Sequence, residues 1–264
     1  MILGIPSGVL QATAFAVGAC FSGLWLLSLL LKNASIVDPF WGPGFALVAM
    51  VTVLQLPVVG SSSLLLLVLV CIWALRLGIY LGMRNIGEGE DFRYVAMRKQ
   101  AGESFALHSL FSVFFLQGLL LWLISWPIQA AIVAGGSIGP WQRLGFLLWG
   151  VGFCFEAVGD WQLSRFKARP QSAGQVMDQG LWRYTRHPNY FGDALLWWGY
   201  GCFALGAGQP LLLFSPLLMN LLLVKVSGVA LLEKEIHHRR PAYREYIRRT
   251  SAFIPWFPLP KGKK

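Results

Sequence analysis

Eight consecutive residues from Arg186 to Asp193 carry a guanidinium, an imidazole, an amide, a phenol and a carboxylate. The apolar run that follows them, Ala194 to Leu205, reads as a membrane span. Polar groups gathered at the mouth of an apolar helix are costly unless they are hydrogen-bonded or used. This run is therefore the first place to look for chemistry. A second cluster precedes it. Glu156 and Asp160 are four residues apart and share one helix face, with Arg165 and Lys167 just beyond. Carboxylates that accept from ribose hydroxyls, beside cations that face phosphate, would hold a nucleotide-like cofactor. The same residues would also serve as an intramembrane ion-pair network that fixes helix packing. Between the clusters, Pro170, Gly174, Gly180 and Pro188 with Gln171, Gln175, Asp178 and Gln179 read as a loop able to wrap a polar ligand, or as a plain connector. No glycine-rich fingerprint of a soluble nucleotide fold is present.

Three further features stand out. From Glu233 to Pro258 the chain turns basic and carries Glu233, Lys234, His237, His238, Arg239, Arg240, Tyr243, Arg244, Tyr246, Arg248 and Arg249. This segment reads either as an amphipathic strip on anionic headgroups or as a lid that brings cations to a phosphate-bearing cofactor. His237 and His238 are adjacent, so they point apart on a helix and make a poor metal pair. Asp38 lies in Ser35-Ile36-Val37-Asp38-Pro39-Phe40-Trp41. A carboxyl beside apolar rings can stay protonated and donate to a carbonyl. The plainer expectation, favoured on the residues alone, is an N-cap for the following helix. Arg76 and Tyr80 share a face of one apolar stretch, and Lys225 is a lone charge in another.

The elements that must position these groups are membrane helices. Of 264 residues, 56% are hydrophobic and 13% charged, and the mean hydropathy is +0.57. Such a composition belongs to a polytopic, all-α membrane protein. The first charge is Lys32, so no basic region precedes the first apolar run, which is expected to remain as a span. Cys20, Cys71, Cys154 and Cys202 fall singly in apolar runs and read as small buried thiols. A bilayer core needs about 20 apolar residues per helix. Seven stretches qualify, at about 9–31, 41–59, 63–83, 106–134, 143–163, 189–206 and 210–232. They form one integral membrane domain over 1–264, with a C-terminal segment from 233. Pro127 is expected to kink the fourth stretch or to end it. With seven spans, every Lys and Arg outside the spans except Arg143 falls on one side of the membrane. The positive-inside rule then puts the N-terminus outside and the C-terminus in the cytoplasm. None of the acidic residues lies in an outside loop, so the polar site is expected to open to the cytosol. The net charge of +10 is then topological, and a nucleic-acid partner is not expected.

The residues also resemble a known family. Arg186 to Asp193 is similar to the Arg-His-x-Asn-Tyr-x-Gly-Asp signature of membrane sterol and steroid reductases. The tail Tyr243-x-x-Tyr246, with Thr250-Ser251-Ala252-Phe253-Ile254-Pro255, resembles the C-terminal end of the steroid 5α-reductase family and its bacterial relatives. The similarity covers about 150 to the C-terminus well and the first 100 residues loosely. It implies seven spans, a lipid-soluble steroid-like substrate and NADPH bound in the cytoplasmic half of the bundle. It further implies that Asn189, Tyr190 and Asp193, with His187, contact the nicotinamide and ribose. Glu156 and Asp160, with Arg165 or Lys167, would hold the adenosine and phosphate end. Arg186 and the tail residues Glu233, His237, Arg239, Arg240, Tyr243 and Tyr246 would enclose the phosphates. Asp38 would grip a 3-keto group, with Tyr80 the nearest candidate for a partner tyrosine. The implied reaction is hydride transfer from NADPH to the β-carbon of an enone, because a polarised carbonyl lets charge develop on oxygen. No metal is implied, and the protein is expected to be a monomer. Two alternatives remain. The isoprenylcysteine carboxyl methyltransferases, which use S-adenosylmethionine, share Arg-His-Pro but have Ser in place of Asn189 and lack an acid at Asp193. A non-enzymatic sterol- or lipid-binding protein would keep the same fold.

Overall fold

A computed structural model describes residues 1–172, 174–226 and 242–260. Among them helices carry the fold, and β contacts are limited to isolated bridges such as Thr185 with Ser251. Helix α1 (Ser7–Leu31) ends where Lys32 turns left-handed at φ 52° and its N–H closes back on Leu29 and Ser28. A short 3-10 helix, Ala34–Phe40, follows, with the Asn33 side chain accepting from Ser35 N–H. Next come α2 (Trp41–Leu54) and α3 (Ser61–Asn85). A segmented run then comprises α4 (Phe92–Ala101), α5 (Phe105–Ser109), a π-helical turn (Leu110–Phe115), α6 (Leu116–Ile124) and α7 (Trp126–Ala134). Beyond lie α8 (Pro140–Lys167), α9 (Pro188–Gly206), α10 (Phe214–Leu221) and α11 (Ala242–Arg249).

Five of these stretches are long and apolar enough to cross a membrane: Ser7–Leu31, Ala34–Leu54, Ser61–Asn85, Phe92–Ala134 and Pro140–Lys167. Their outward faces carry large apolar side chains such as Phe15, Leu30, Leu75 and Leu147, which suits a lipid solvent. The stretch expected at 189–206 is a helix, but Asn189, Asp193 and its glycines dilute its hydropathy, and it is not among the five. Pro210–Lys225 is a shorter apolar helix. The fourth stretch breaks at Ser125, just before Pro127, and restarts as α7, in keeping with the expected interruption. Cys154 is exposed and faces outward, contrary to the buried reading; a thiol is apolar enough to tolerate lipid.

The chain groups into two compact units. The first takes Met1–Pro140 with Phe203–Leu212, the second Trp141–Cys202 with the chain from Leu213 onward. In the first unit, α2 and α3 touch backbone to backbone: a Cβ on Gly42 would fall 2.6 Å from the Ala74 carbonyl oxygen. Phe45 and Trp73 pack beside that contact at 5.7 Å between ring centres. A buried polar knot joins α1 to the segmented run. Thr13 donates to Gln129 at 3.0 Å, the Trp122 indole N–H donates to Thr13 at 3.0 Å, and Gln129 donates to Ser125 at 2.9 Å. In lipid such bonds join helices that hydrophobicity alone does not.

In the second unit, α8 and α9 are in close contact through glycines seven residues apart. A Cβ on Gly192 would lie 2.4 Å from the Glu156 nitrogen and 2.5 Å from the Gly152 oxygen. One on Gly199 would lie 2.7 Å from the Gly145 oxygen. Small residues at these points let the backbones approach, which sets Glu156 and Asp160 against the start of α9. Gly192→Ala is expected to destabilise the protein by about 1–3 kcal/mol, because the rigid backbone opposite cannot yield. Gly150→Ala, inside α8 where a Cβ meets nothing within 4 Å, should not lower the melting temperature in detergent.

Candidate functional site

The polar cluster of the second unit is built on the α8–α9 contact. Glu156 and Asp160 are both 3% exposed. Asn189, at the second residue of α9, donates from Nδ2 to Asp160 Oδ1 at 2.9 Å. Its own Oδ1 is buried and accepts no hydrogen bond among the described residues. The amide is therefore held at one end, with an acceptor to spare at the other. Asp193 lies one turn further along α9 and is half-buried. His187 is buried, and its ring stacks on that of Tyr190 at 5.6 Å and 11°. Arg165 stands over the exposed ring of Trp161 at 5.5 Å, and Lys167 is exposed at the last residue of α8.

The tail docks against the segment that leads into α9. Arg186 Nη1 donates to the carbonyls of Ile247 and Thr250 at 3.0 and 2.7 Å, at the carbonyl end of α11, where a cation is favoured. Arg186 N–H donates to Ser251 O at 2.9 Å. Tyr243 and Tyr246 are buried against each other, and the Tyr246 hydroxyl donates to the Trp182 carbonyl. Burial, then the neighbouring Tyr243, push the Tyr246 phenol well above its usual pKa of 10. The Trp182 indole in turn donates to the Gly159 carbonyl at 3.0 Å. Arg186, Tyr243 and Tyr246 are thus brought together as the joint that fixes the tail. Glu233, His237, Arg239 and Arg240 lie outside the described residues.

The first unit holds a separate cluster around Asp38. Its carboxylate is not an N-cap: Phe40 occupies that position, and Asp38 sits inside the 3-10 helix. Both oxygens accept. Tyr94 donates to Oδ1 at 2.7 Å, and Arg93 Nη2 donates to Oδ2 at 3.0 Å. Gln117 Nε2 donates to the Tyr94 hydroxyl at 3.3 Å, and the Trp41 indole donates to Gln117 at 2.7 Å. Arg93 is itself held by Asp91 through Nε at 2.8 Å. The phenol on Asp38 therefore comes from Tyr94; Tyr80 on α3 has the Arg76 guanidinium over its ring at 5.2 Å.

The family model described as a protein of unknown function, DUF1295, matches residues 24–250 and so spans both clusters. The chain belongs to the DUF1295 family. It is also 27% identical over 259 residues to an uncharacterized protein of Schizosaccharomyces pombe, covering 88% of this chain and 75% of that protein. No solved structure matches the chain.

In this DUF1295 chain, the residues that sequence reading passed over are Arg93, Tyr94 and Gln117. Their signal was the polar island Glu88-Gly89-Glu90-Asp91-Phe92-Arg93-Tyr94, which charge partition treated as topology alone. Glu90 and Asp91 anchor that island to the 3-10 helix. Glu90 accepts from Ala34 N–H at 2.7 Å and from Arg98 at 2.8 and 2.9 Å, while Asp91 N–H donates to Ser35 at 2.6 Å. Burial pushes the Glu90 carboxyl up, but the Arg98 and Ala34 hydrogen bonds and the Arg98 charge outweigh it, so its pKa lies below the ordinary 4.5. A carboxyl lowered on folding contributes stability above that ordinary value and loses it as the pH falls through the folded one. Thermal melts of wild type are therefore expected to drop below about pH 4.5. Glu90→Gln should melt lower than wild type at neutral pH, with the gap closing in acid.

Proposed function

We propose that the chain is a seven-span membrane reductase, with its N-terminus outside and its C-terminus cytoplasmic. It uses NADPH to reduce the C=C bond of a Δ4-3-ketosteroid or a similar lipid enone. The observation that carries this reading is the Asn189 amide, pinned by Asp160 with a buried acceptor left over. A nicotinamide carboxamide has the N–H donor such an oxygen needs. Its family is steroid 5α-reductase-like, which supports the same reading. Asn189, Tyr190, Asp193 and His187 would hold the nicotinamide and ribose, with Glu156 and Asp160 accepting from hydroxyls. Arg165, Lys167 and the basic tail supply cations for phosphates. Arg186, its Nη1 bonded to carbonyls, would act by fixing the tail.

NADPH, when bound, supplies the hydride that adds to the enone β-carbon. The chain's own task is to stabilise the charge that develops on the carbonyl oxygen. Within the first unit Asp38 and Tyr94 are the candidates: the Tyr94 hydroxyl donates to Asp38 and accepts from Gln117, and its single O–H would turn from Asp38 to serve a substrate oxygen. Asp38 accepts on both oxygens, from the Tyr94 hydroxyl and the Arg93 guanidinium, so the phenol, the carboxyl and the cation form one hydrogen-bonded unit. Arg93 balances the Asp38 charge, which an apolar bundle would otherwise disfavour.

In mild detergent, NADPH at a hundred times its Kd is expected to stabilise the protein by about 2.7 kcal/mol. Asn189→Ala should lose that shift. Stabilisation by S-adenosylmethionine with none by NADPH would give the methyltransferase reading instead, and a response to neither would leave a lipid-binding protein. Tyr94→Phe and Asp38→Asn should keep the NADPH shift but lower kcat on a Δ4-3-ketosteroid by about 10²–10³. Unchanged turnover would remove this pair from the site.

A further inference from the structure

The tail from Ser251 to Pro260 is tethered by its backbone and yet turns its apolar side chains outward. Trp256 N–H donates to Tyr184 O and Leu259 N–H to Arg249 O, both at 2.9 Å. Even so, Ile254, Trp256, Phe257 and Leu259 are 66%, 72%, 79% and 56% exposed. The Phe257 ring meets the edge of Tyr184, at 6.0 Å and 81°. A contiguous exposed ledge of this kind marks a binding surface, and large aromatics beside membrane helices belong at the lipid–water boundary.

The ledge runs into a cleft of about 590 Å³ whose walls include Asp178, Arg183, Arg249, Pro258, Leu259 and Pro260. Leu259 belongs to both. Arg183 is exposed and, among the described residues, makes no hydrogen bond or ion pair. Arg249 pairs through Nη2 with Asp178, while its buried Nε–H has no acceptor among the described residues. After the Asp178–Arg249 pair cancels, the cleft keeps one net positive charge and the exposed, unused donors of the Arg183 guanidinium. That suits one phosphodiester, which carries a single negative charge and several acceptors. A free phosphate would use the donors but leave the apolar ledge uncovered. An amphiphile uses both, with its phosphate in the cleft and its acyl chains along Trp256 and Phe257. A headgroup with its own cation would set that charge against Arg183, so an anionic lipid is favoured.

We propose that the Arg183–Arg249 cleft and the Ile254–Leu259 ledge form a binding site for one anionic phospholipid, apart from the Asn189 cluster. The test uses the full chain in detergent, with dioleoylphosphatidylglycerol, dioleoylphosphatidylcholine and inorganic phosphate as probes. Native mass spectrometry is expected to retain one phosphatidylglycerol per chain, and this lipid alone of the three should raise the melting temperature. Arg183→Gln removes a side chain with no partner, so it should leave the lipid-free melting temperature unchanged. It should weaken phosphatidylglycerol about tenfold, the loss of one charge-assisted contact. Trp256→Ser should also reduce lipid retention. Equal stabilisation by inorganic phosphate would make this a free-anion site, and equal stabilisation by phosphatidylcholine would make it ordinary lipid solvation. Either result overturns the proposal, as would full phosphatidylglycerol retention in Arg183→Gln or Trp256→Ser.

Discussion

A polar side chain inside an apolar helical bundle has no water to fall back on, so its partners must come from other helices of the same chain. Each polar cluster described here meets that constraint in its own way. Asp38 takes its donors from Tyr94 and Arg93, more than 50 residues away. Asp160 takes one from Asn189 at the start of the next long helix. Thr13, Gln129, Ser125 and Trp122 close a ring of neutral partners. Where a bond joins separate helices, as Tyr94–Asp38, Asn189–Asp160 and Thr13–Gln129 do, satisfying the polar group and fixing the packing are the same event.

The clusters differ in what is left over, and that difference bears on function. The Thr13–Gln129 knot has both amide ends of Gln129 engaged and reads as structure. Asn189 has one end engaged and, among the described residues, one acceptor unused, which is the group the proposed cofactor would meet. Asp38 accepts on both oxygens, which fixes the orientation of the Tyr94 hydroxyl and the Arg93 guanidinium. Arg186 has a type and position that invite a phosphate, yet its Nη1 closes the carbonyl end of α11. Its contribution to any site runs through the placement of the tail.

The helices of the first unit were legible because length and hydropathy are local properties. The same local reading blurred at α9, where Asn189, Asp193 and several glycines lower the apolar signal of a helix that nevertheless forms. It failed at Asp38, where the turn before α2 continues as a 3-10 helix through Phe40 and takes the carboxylate away from the capping position. Tyr94 escaped notice because its value lies in a contact 56 residues away. Tyr80 attracted notice because it shares a helix face with Arg76, which is indeed its neighbour.

The sequence by itself determined that this is an apolar helical protein with its ionisable groups gathered near span ends, and it singled out Arg186–Asp193, Glu156, Asp160 and Asp38 as residues needing an explanation. Composition and residue type suffice for that, since they report the transfer cost of each group independently of its neighbours. Only the tertiary structure decided which donor meets which acceptor: Asn189 with Asp160, Tyr94 and Arg93 with Asp38, Arg186 with the end of α11. Hydrogen bonds are short-ranged and directional. Their pairing depends on how closely the helices approach, and in α8 and α9 that approach is set by the missing side chains of Gly152, Gly192 and Gly199.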